Sequence, residues 1–396
     1  MPLPVSPPMM GRVGGVHAAP PTRFMALDEF LPALIGRVGE MWTITLAGLA
    51  IGVLFGFFAQ KSRFCLRSAV IEFARNTTGG KLTVWLFAFA TAVGLTQTFI
   101  LLGWLDVSTA RQLAGRGSIS GALIGGAMFG TGMILARGCS SRLLVLAANG
   151  NLRSLLSGLI FAVVATASLG GVLSPVRLWL AELWTVEGGA SRDLIAITGI
   201  GHGGALAFAG VWLAAAIFWA RKQRVPFWGW FGGIGVGAMV ALAWLATYRI
   251  SRESFDLIVG VQSLSFTGPA SDVLMLVLSP PGQPLKFDIG LVPGVFIGSF
   301  VAAALAGELK LEGFQGGPAM RRYIAGAVLM GFGGMLAGGC AVGAGVSGAA
   351  VFTLTAWVTL FAMWGAAMFA DWWMDRRHEP AGHAPAQPPL PKHAPA

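Results

Sequence analysis

Long apolar windows without a single charged side chain recur along the whole chain, and they limit its fold more than any other feature. The last of them, 323–370, is too long for one helix and is interrupted by a Gly-rich run around Cys340, so it divides into spans near 320–337 and 350–370. Because a helix needs about 20 apolar residues to cross a bilayer, the pattern predicts an all-α polytopic membrane protein with about nine transmembrane helices. The other windows are 41–60, 82–104, 117–136, 154–176, 194–220, 225–248 and 289–307.

The charged residues fit the same class of protein. They make up only 11% of the chain, too few to cover a soluble globular surface. The three cysteines are too few, and odd in number, for a disulfide-stapled fold. The net charge of +10 is explained by cytoplasmic loops and requires no nucleic-acid partner. The positive-inside rule predicts a multi-pass protein with the N-terminus outside, the C-terminus in the cytoplasm, and 221–224 marking the inner face.

Two segments of the chain overlay at an offset of 201 and indicate an internal repeat. Residues 123–139 and 324–340 share several glycines and the ending Leu-Ala-x-Gly-Cys. An odd number of spans between the copies predicts two pseudo-symmetric inverted halves, an architecture that places transporter substrate sites at the repeat interface. The predicted organisation is a flexible N-terminal tail (1–40), a first repeat half (41–176), a linker with a central helix (177–224), a second repeat half (225–370) and a low-complexity C-terminal tail (371–396).

Each of the three cysteines stands where a span ends and a short apolar segment begins. Non-helical backbone at membrane depth is tolerated only where it is buried or lines a cavity, so Cys65, Cys139 and Cys340 mark broken helices with short re-entrant segments. A short helix that starts at such a break directs free N–H groups and a positive dipole end towards it, which favours an anion. Cations near two of the breaks strengthen this expectation: Lys61, Arg63, Arg67, Arg137 and Arg142.

The thiols narrow the kind of anion that the pathway would accept. A neutral thiol is a weak hydrogen-bond donor and a polarizable contact, so it suits a soft sulfur atom better than hard oxygens alone. Several weak sites in series let an ion bind and leave again, as conduction requires. The cysteine positions therefore predict a pathway for a small sulfur-containing anion.

At these residues the chain resembles the YeeE/YedE family of membrane proteins, the sulfur-transport group that includes bacterial thiosulfate transporters. The resemblance covers roughly residues 40–370. It is carried by Gly52-x-x-x-Gly56-Phe57-Phe58-x-Gln60-x-Ser62-x-Phe64-Cys65, by Gly130-x-Gly132-x-x-x-Ala136-x-Gly138-Cys139, by Gly331-Phe332-Gly333-x-x-x-Ala337-Gly338-Gly339-Cys340, and by Ser265-Phe266-Thr267-Gly268-Pro269.

The resemblance implies uptake of thiosulfate past cysteines that pass the ion by S–H hydrogen bonds, without covalent chemistry. Carried over, these are Cys65, Cys139 and Cys340, with Gly138 and Gly339 shaping the adjacent turns. We therefore expect a transporter or channel-like facilitator, not an enzyme, with no cofactor and no bound metal. Its partners would be the lipid bilayer, a small sulfur anion and a cytosolic sulfurtransferase-like protein. Supporting roles are our own inference for Ser140, Arg137, Arg142, Lys61, Arg63 and Thr267.

Two other functions stay open at the level of the sequence. A membrane sulfur-relay protein would form a persulfide on Cys65, activated by the nearby Lys61, Arg63 and Arg67. A metal-ion channel is the third interpretation, because thiolates prefer soft metals, although the cysteines are far apart and no Cys-x-x-Cys motif occurs. The sulfur relay differs from the transporter because it attaches sulfur covalently to the protein.

Overall fold

The computed structural model describes residues 25–77, 79–254, 259–314 and 316–375, and nearly all of its regular structure is helical. The α-helices are α1 (Met25–Val38), α2 (Glu40–Ser62), α3 (Leu66–Ala74), α4 (Gly80–Leu101), α5 (Arg111–Ala114), α6 (Ile119–Leu135), α7 (Ser140–Ala148), α8 (Leu152–Gly170), α9 (Ser174–Glu182), α10 (Leu194–Thr198), α11 (Gly201–Lys222), α12 (Phe227–Glu253), α13 (Thr267–Leu278), α14 (Phe287–Leu305), α15 (Gly317–Leu336) and α16 (Leu354–Met374). The other elements are a 3₁₀ turn (Gly189–Arg192), a π-helix (Gly343–Gly348) and the antiparallel strands β1 (Gly117–Ser118) and β2 (Thr185–Val186).

Within those ranges, eight helical segments are long and apolar enough to cross a membrane. They are Glu40–Ala74, Gly80–Leu101, Ile119–Ala148, Leu152–Gly170, Gly201–Lys222, Phe227–Glu253, Phe287–Leu305 and Leu354–Met374. The span predicted near 320–337 coincides with α15, whose first turns carry Arg321 and Arg322. The chain is therefore an all-α polytopic membrane protein, as its apolar windows predicted.

The segments predicted as tails contain more helix than expected. The stretch 1–40 includes α1, which packs against α2 and α12 and which the sequence prediction grouped with the Pro- and Gly-rich residues before it. The part of this stretch before Met25 lies outside the described residues. The predicted tail 371–396 begins inside α16, and its residues from 376 onwards are also outside the described ranges.

Glycines allow α2 and α14 to touch through their backbones. Gly48, Gly52 and Gly56 lie one turn apart on α2, and a Cβ atom on any of them would collide with a carbonyl oxygen of α14. Gly290 and Gly294 make the same close approach from α14. Small residues at a spacing of four are the usual means by which membrane helices pack closely. The contact runs in parallel, so the ends of α2 and α14 lie side by side.

The helices α6 and α15, which contain the repeated segments, cross antiparallel through glycines. Gly125 contacts Gly333, and Gly132 contacts Gly326, in each case reciprocally. At the offset of 201, Gly125 corresponds to Gly326 and Gly132 corresponds to Gly333, so the two contacts are counterparts of each other. Other helix contacts also occur in equivalent pairs. The contact of α2 with α14 corresponds to that of α12 with α4, and the contact of α6 with α16 corresponds to that of α15 with α8.

The antiparallel crossing also fixes how far apart the two following breaks are. The end of α15, at Leu336, lies level with Gly121 near the start of α6. Since α6 continues to Leu135, the two helix ends are about 14 residues apart along the pair, which is about 21 Å at a rise of 1.5 Å per residue. The segments that follow α6 and α15 therefore start from opposite ends of the bundle.

The loops collect at these two ends. At the first, which we call the Cys65 end, the segments that follow α2, α6 and α14 meet, and Arg63 forms an ion pair of 3.2 Å with Glu308. At the second, which we call the Cys340 end, the segments that follow α4, α8 and α15 meet, and β1 pairs with β2. The breaks after α2 and α6 are at the Cys65 end, and the break after α15 is at the Cys340 end.

Candidate functional site

Each cysteine follows a helix that ends in the same hydrogen-bonded turn. The residue two places before each thiol is left-handed: Arg63 has a φ of 53°, Arg137 of 55° and Gly338 of 76°. The next residue donates its N–H to the carbonyl oxygen five places back, at 3.0 to 3.1 Å. This Schellman arrangement pairs carbonyl groups that the end of a helix leaves free. In all three turns, the cysteine is therefore the second residue after the left-handed position.

In the turns before Cys139 and Cys340, the left-handed residue directly precedes the predicted glycine. The left-handed positions are Arg137 and Gly338, whereas neither Gly138 nor Gly339 has a positive φ. Gly339 is required for another reason, because a Cβ atom there would lie 2.8 Å from the backbone nitrogen of Ala344. A Cβ atom on Gly138 would meet its nearest neighbour, a side-chain atom, at an ordinary 3.4 Å. Only one of the two predicted glycines is thus held by close packing.

At the Cys65 end, two thiols are brought together. Cys65 is the N-cap residue of α3, and Cys139 is the N-cap residue of α7. Their side chains lie close enough to interact, and Cys139 Sγ lies 3.4 Å from Ser141 Oγ. Both cysteines are buried. The starts of α3 and α7 therefore converge on a pair of soft, polarizable sulfur atoms.

Guanidinium groups act on this thiol pair. Arg142, in the first turn of α7, and Arg67, in the first turn of α3, are close enough to Cys65 to interact with it electrostatically. Arg142 also donates a 3.4 Å hydrogen bond to the Oε1 atom of Gln60. Arg63 is held nearby at the end of α2. The predicted cationic character is present at this end.

Two predicted supporting cations lie apart from the thiols. The Lys61 ammonium is 5.6 Å from the centre of the Trp228 ring and 6.0 Å from that of Phe57, a cation–π arrangement on the flank of α2. Arg137 forms the left-handed turn before Cys139, but its side chain is exposed. Lys61 therefore packs on aromatic rings, and the contribution of Arg137 is its left-handed backbone in the turn before Cys139.

The two predicted hydroxyl groups are both buried and available. Ser140 follows Cys139, and its exposed fraction is 7%; Thr267 begins α13, and its exposed fraction is 2%. Neither Ser140 Oγ nor Thr267 Oγ1 has a hydrogen-bond partner among the described residues. An unsatisfied buried hydroxyl costs free energy, and a bound polar ligand or water would remove that cost. Each hydroxyl lies beside one of the breaks.

Cys340 has a different environment, made of backbone. Its Sγ atom accepts hydrogen bonds from the N–H of Phe266, at 3.3 Å, and of Gly343, at 3.4 Å. Phe266 immediately precedes Thr267, so the start of α13 and the loop after α15 meet at this thiol. The Cys340 side chain is fully buried. The hydrogen-bond donors to the Cys340 Sγ atom are therefore backbone N–H groups.

Sequence reasoning missed two residues of the Cys65 end. The Nε2 atom of Gln60 donates to Oε2 of Glu308 at 2.8 Å, while its Oε1 accepts from Arg142. Gln60 belongs to a family motif, which was a usable signal. Glu308 follows α14 and carries no local motif, so only the parallel packing of α2 and α14 reveals it.

The arrangement suits an anion better than a metal. In the parts of the chain that the structure describes, no group of three or more His, Cys, Asp and Glu residues is positioned to hold a metal ion, and all three thiols are free. Two thiols under the influence of guanidinium groups can accommodate a small anion that carries a soft sulfur atom.

A multi-pass helical membrane protein whose broken helices carry thiols is the class that this fold and site define. The chain belongs to the sulphur transport family, whose model matches residues 61–369. This match confirms the resemblance to YeeE/YedE proteins. The chain is 24% identical over 366 residues to the thiosulfate transporter TsuA of Escherichia coli (strain K12), covering 84% of this chain and 95% of that protein. It is 27% identical over 331 residues to the thiosulfate transporter TsuA of Spirochaeta thermophila, covering 80% and 94%.

Proposed function

We propose that this protein brings thiosulfate, or a similar small sulfur-containing anion, into the cell along a pathway lined by Cys65, Cys139 and Cys340. The observation that carries the proposal is a pair of neighbouring buried thiols, with Arg67 and Arg142 close enough to act electrostatically on Cys65. The names of the two relatives support thiosulfate as the substrate. The protein acts as a transporter or channel-like facilitator and not as an enzyme.

The attraction for the anion comes from charge and from helix ends. The helices α3 and α7 start beside the thiol pair, so their free N–H groups and positive dipole ends favour a negative charge there. Arg142 adds a full positive charge to the same region. At the other break the peptide N–H groups of Phe266 and Gly343 already donate to sulfur, and they are suited to donate to a passing sulfur anion.

The thiols supply selectivity and allow release. A thiol donates only a weak hydrogen bond, so each cysteine binds the ion briefly. The terminal sulfur of thiosulfate matches the polarizable thiol better than a sulfate oxygen does, which favours thiosulfate over sulfate. Because the breaks after α6 and α15 are about 21 Å apart, one ion occupies the Cys340 end and the Cys65 end in succession. In the orientation predicted from the loop charges, the Cys340 end faces outwards and the Cys65 end faces the cytoplasm of a bacterium, across its inner membrane.

The test is growth on thiosulfate as the sole sulfur source, in cells that lack other uptake systems. We expect Cys139→Ala and Cys340→Ala to abolish rescue at normal protein abundance, because each removes one stop of the pathway. Cys139→Ser and Cys340→Ser are the matched controls, since they keep a donor but lose the soft sulfur, and they should rescue growth only in part. Full rescue by both alanine variants would show that the thiols do not carry the ion.

A sulfur relay is the second candidate, favoured by the proximity of Cys65 to Cys139 and by the electrostatic influence of two guanidinium groups, which would stabilise a thiolate. The Cys65 thiolate would then attack the terminal sulfur of thiosulfate, which breaks the S–S bond of the ion and releases sulfite, and the resulting persulfide would hand its outer sulfur to a cytosolic sulfurtransferase-like protein. Intact-mass measurement after exposure to thiosulfate separates the two functions. A relay adds the mass of one sulfur atom, and Cys65→Ser abolishes the addition; hydrogen-bonded passage leaves the mass unchanged.

A further inference from the structure

Glu308 places a carboxylate against the cationic residues of the Cys65 end. Its Oε1 atom accepts a hydrogen bond from Arg63 at 3.2 Å, and its Oε2 atom accepts one from Gln60 at 2.8 Å. Both contacts join residues about 250 positions apart in sequence. Glu308 therefore belongs to the same cluster as the residues that surround the thiol pair.

The fold holds this carboxylate in place through its backbone. Gly307 is left-handed, with a φ of 63°, and the N–H of Glu308 donates to the carbonyl oxygen of Ala303 at 2.9 Å. A turn of the same type ends α2 at Arg63. Because α2 and α14 run in parallel through backbone contact, their two end turns lie side by side, and Glu308 faces Arg63 and Gln60.

Gln60 relays the contact to the thiols. Its amide nitrogen donates to Glu308, and its amide oxygen accepts from Arg142 at 3.4 Å. Arg142 acts electrostatically on Cys65 and on Glu308. The carboxylate is thus connected through one side chain to the guanidinium group nearest the thiol pair.

The Arg63–Glu308 ion pair is open to water, unlike a neighbouring structural ion pair. The side chains of Arg63 and Glu308 are 22% and 27% exposed. By contrast, Arg75 and Asp371 form a double hydrogen bond at 2.9 and 3.0 Å with exposed fractions of 15% and 2%. A partly hydrated single contact separates at low cost, whereas a buried bidentate pair does not. Glu308 is free to leave its partner.

We propose that Glu308 is a built-in counter-anion of the substrate site at the Cys65 end, which the transported anion displaces. The proposal rests on the proposed function. In the resting protein the Glu308 carboxylate neutralises Arg63 and, through Gln60, part of the charge of Arg142. A doubly charged anion replaces it, and the return of Glu308 to Arg63 helps to expel the anion. Glu308 is a positioning residue that sets how tightly the site holds its substrate.

The test compares Glu308→Gln with Glu312→Gln, a control in the same loop. Glu312 accepts a hydrogen bond from Asn151 and is not part of the thiol cluster. Uptake into proteoliposomes gives KM and the maximal rate, and calorimetry on purified protein gives binding of thiosulfate and of sulfate. We expect Glu308→Gln to lower the KM for thiosulfate about twofold to fivefold, the size of a partly exposed ion-pair interaction, and to reduce the maximal rate because release slows. Glu312→Gln should keep both values.

The two probes separate failure of this inference from failure of the proposed function. If the parent protein binds sulfate but not thiosulfate, the proposed substrate is wrong, yet Glu308→Gln should still tighten sulfate binding because the effect is Coulombic. An unchanged or raised KM and unchanged binding of both ions, accompanied by a lower melting temperature, would make Glu308 a structural link between α2 and α14 and overturn the inference. Absence of binding to parent and variant alike would overturn both proposals.

Discussion

The Cys65 end and the Cys340 end share one backbone device, a left-handed turn before a thiol, but differ in the groups that surround the thiol. Both have a left-handed turn two residues before a thiol, followed by a short helical segment. At the repeat offsets, however, Arg63 corresponds to Ser265, and Arg142 corresponds to Gly343. One end surrounds its thiols with guanidinium groups, and the other presents peptide N–H groups to its thiol.

The comparison shows that the two repeat halves share the backbone turn, whereas the side chains around the thiols differ. The turn needs only a residue that tolerates a positive φ, so the backbone device persists while the side chains change. Guanidinium groups act on the thiols of the Cys65 end, whereas backbone N–H groups meet the Cys340 thiol. This contrast would give the proposed pathway a direction, because an anion that leaves Cys340 would be attracted towards the guanidinium groups. The predictions below test that contrast, beginning with the largest expected effect.

Removing the charge of Arg142 should have the largest effect on transport. We expect Arg142→Gln to reduce the initial rate of thiosulfate uptake at least about tenfold, because a charge-assisted contact beside the thiols is worth about 1.5–3 kcal/mol. Arg137→Gln is the matched control, since Arg137 precedes Cys139 by two residues and its side chain is exposed. Equal losses in both variants would mean that overall charge, and not the position of Arg142, attracts the anion.

The two glycines beside the thiols should differ in stability. Gly339→Ala puts a methyl group 2.8 Å from a backbone nitrogen, whereas Gly138→Ala puts one 3.4 Å from a side-chain atom. We expect the first to lower the free energy of unfolding by about 1–3 kcal/mol and the second by no more than about 0.5 kcal/mol. Unfolding in detergent, followed by tryptophan fluorescence, measures both. If Gly138→Ala were the more damaging substitution, the packing at the two breaks would differ from that described.

Exchange of the left-handed residues tests the shared turn and should give the smallest effect. Gly338→Ala should destabilise the protein by about 1 kcal/mol, since an L-residue is strained at a φ of 76°. The reciprocal change, Arg137→Gly, should stabilise it by about 0.5 kcal/mol, because relief of strain exceeds the added chain entropy. The same unfolding assay applies. Opposite signs support a common turn, and two losses of equal size would contradict it.

The sequence predicted the helices well because hydropathy is a local property. The window 41–60 became Glu40–Ser62, and 354–374 lies within the last predicted span apart from its final turn. The breaks were also predicted, since a thiol after a Gly- or Arg-containing turn ends each apolar run. The helix α1 was missed because its 14 residues are too short to form a span and adjoin a Pro-rich stretch.

The contacts of the site were predictable only in part, because they depend on packing between distant segments. Nothing local indicates that Lys61 lies on aromatic rings while Arg142 reaches Gln60. The Gln60–Glu308 hydrogen bond results from the parallel contact of α2 and α14, which only the three-dimensional structure reveals. Motif residues identify the backbone device, whereas the partners of its charged side chains come from distant segments of the chain.

The central claim, that soft thiols at both ends conduct a sulfur anion, is tested most directly by uptake of labelled thiosulfate into proteoliposomes. The measurement includes sulfate and selenate as competitors, and it compares the parent protein with Cys139→Ala and Cys340→Ala. The account predicts uptake by the parent that sulfate inhibits weakly, and loss of uptake in each variant. Uptake that persists in both variants, or that sulfate inhibits as strongly as unlabelled thiosulfate does, would contradict it.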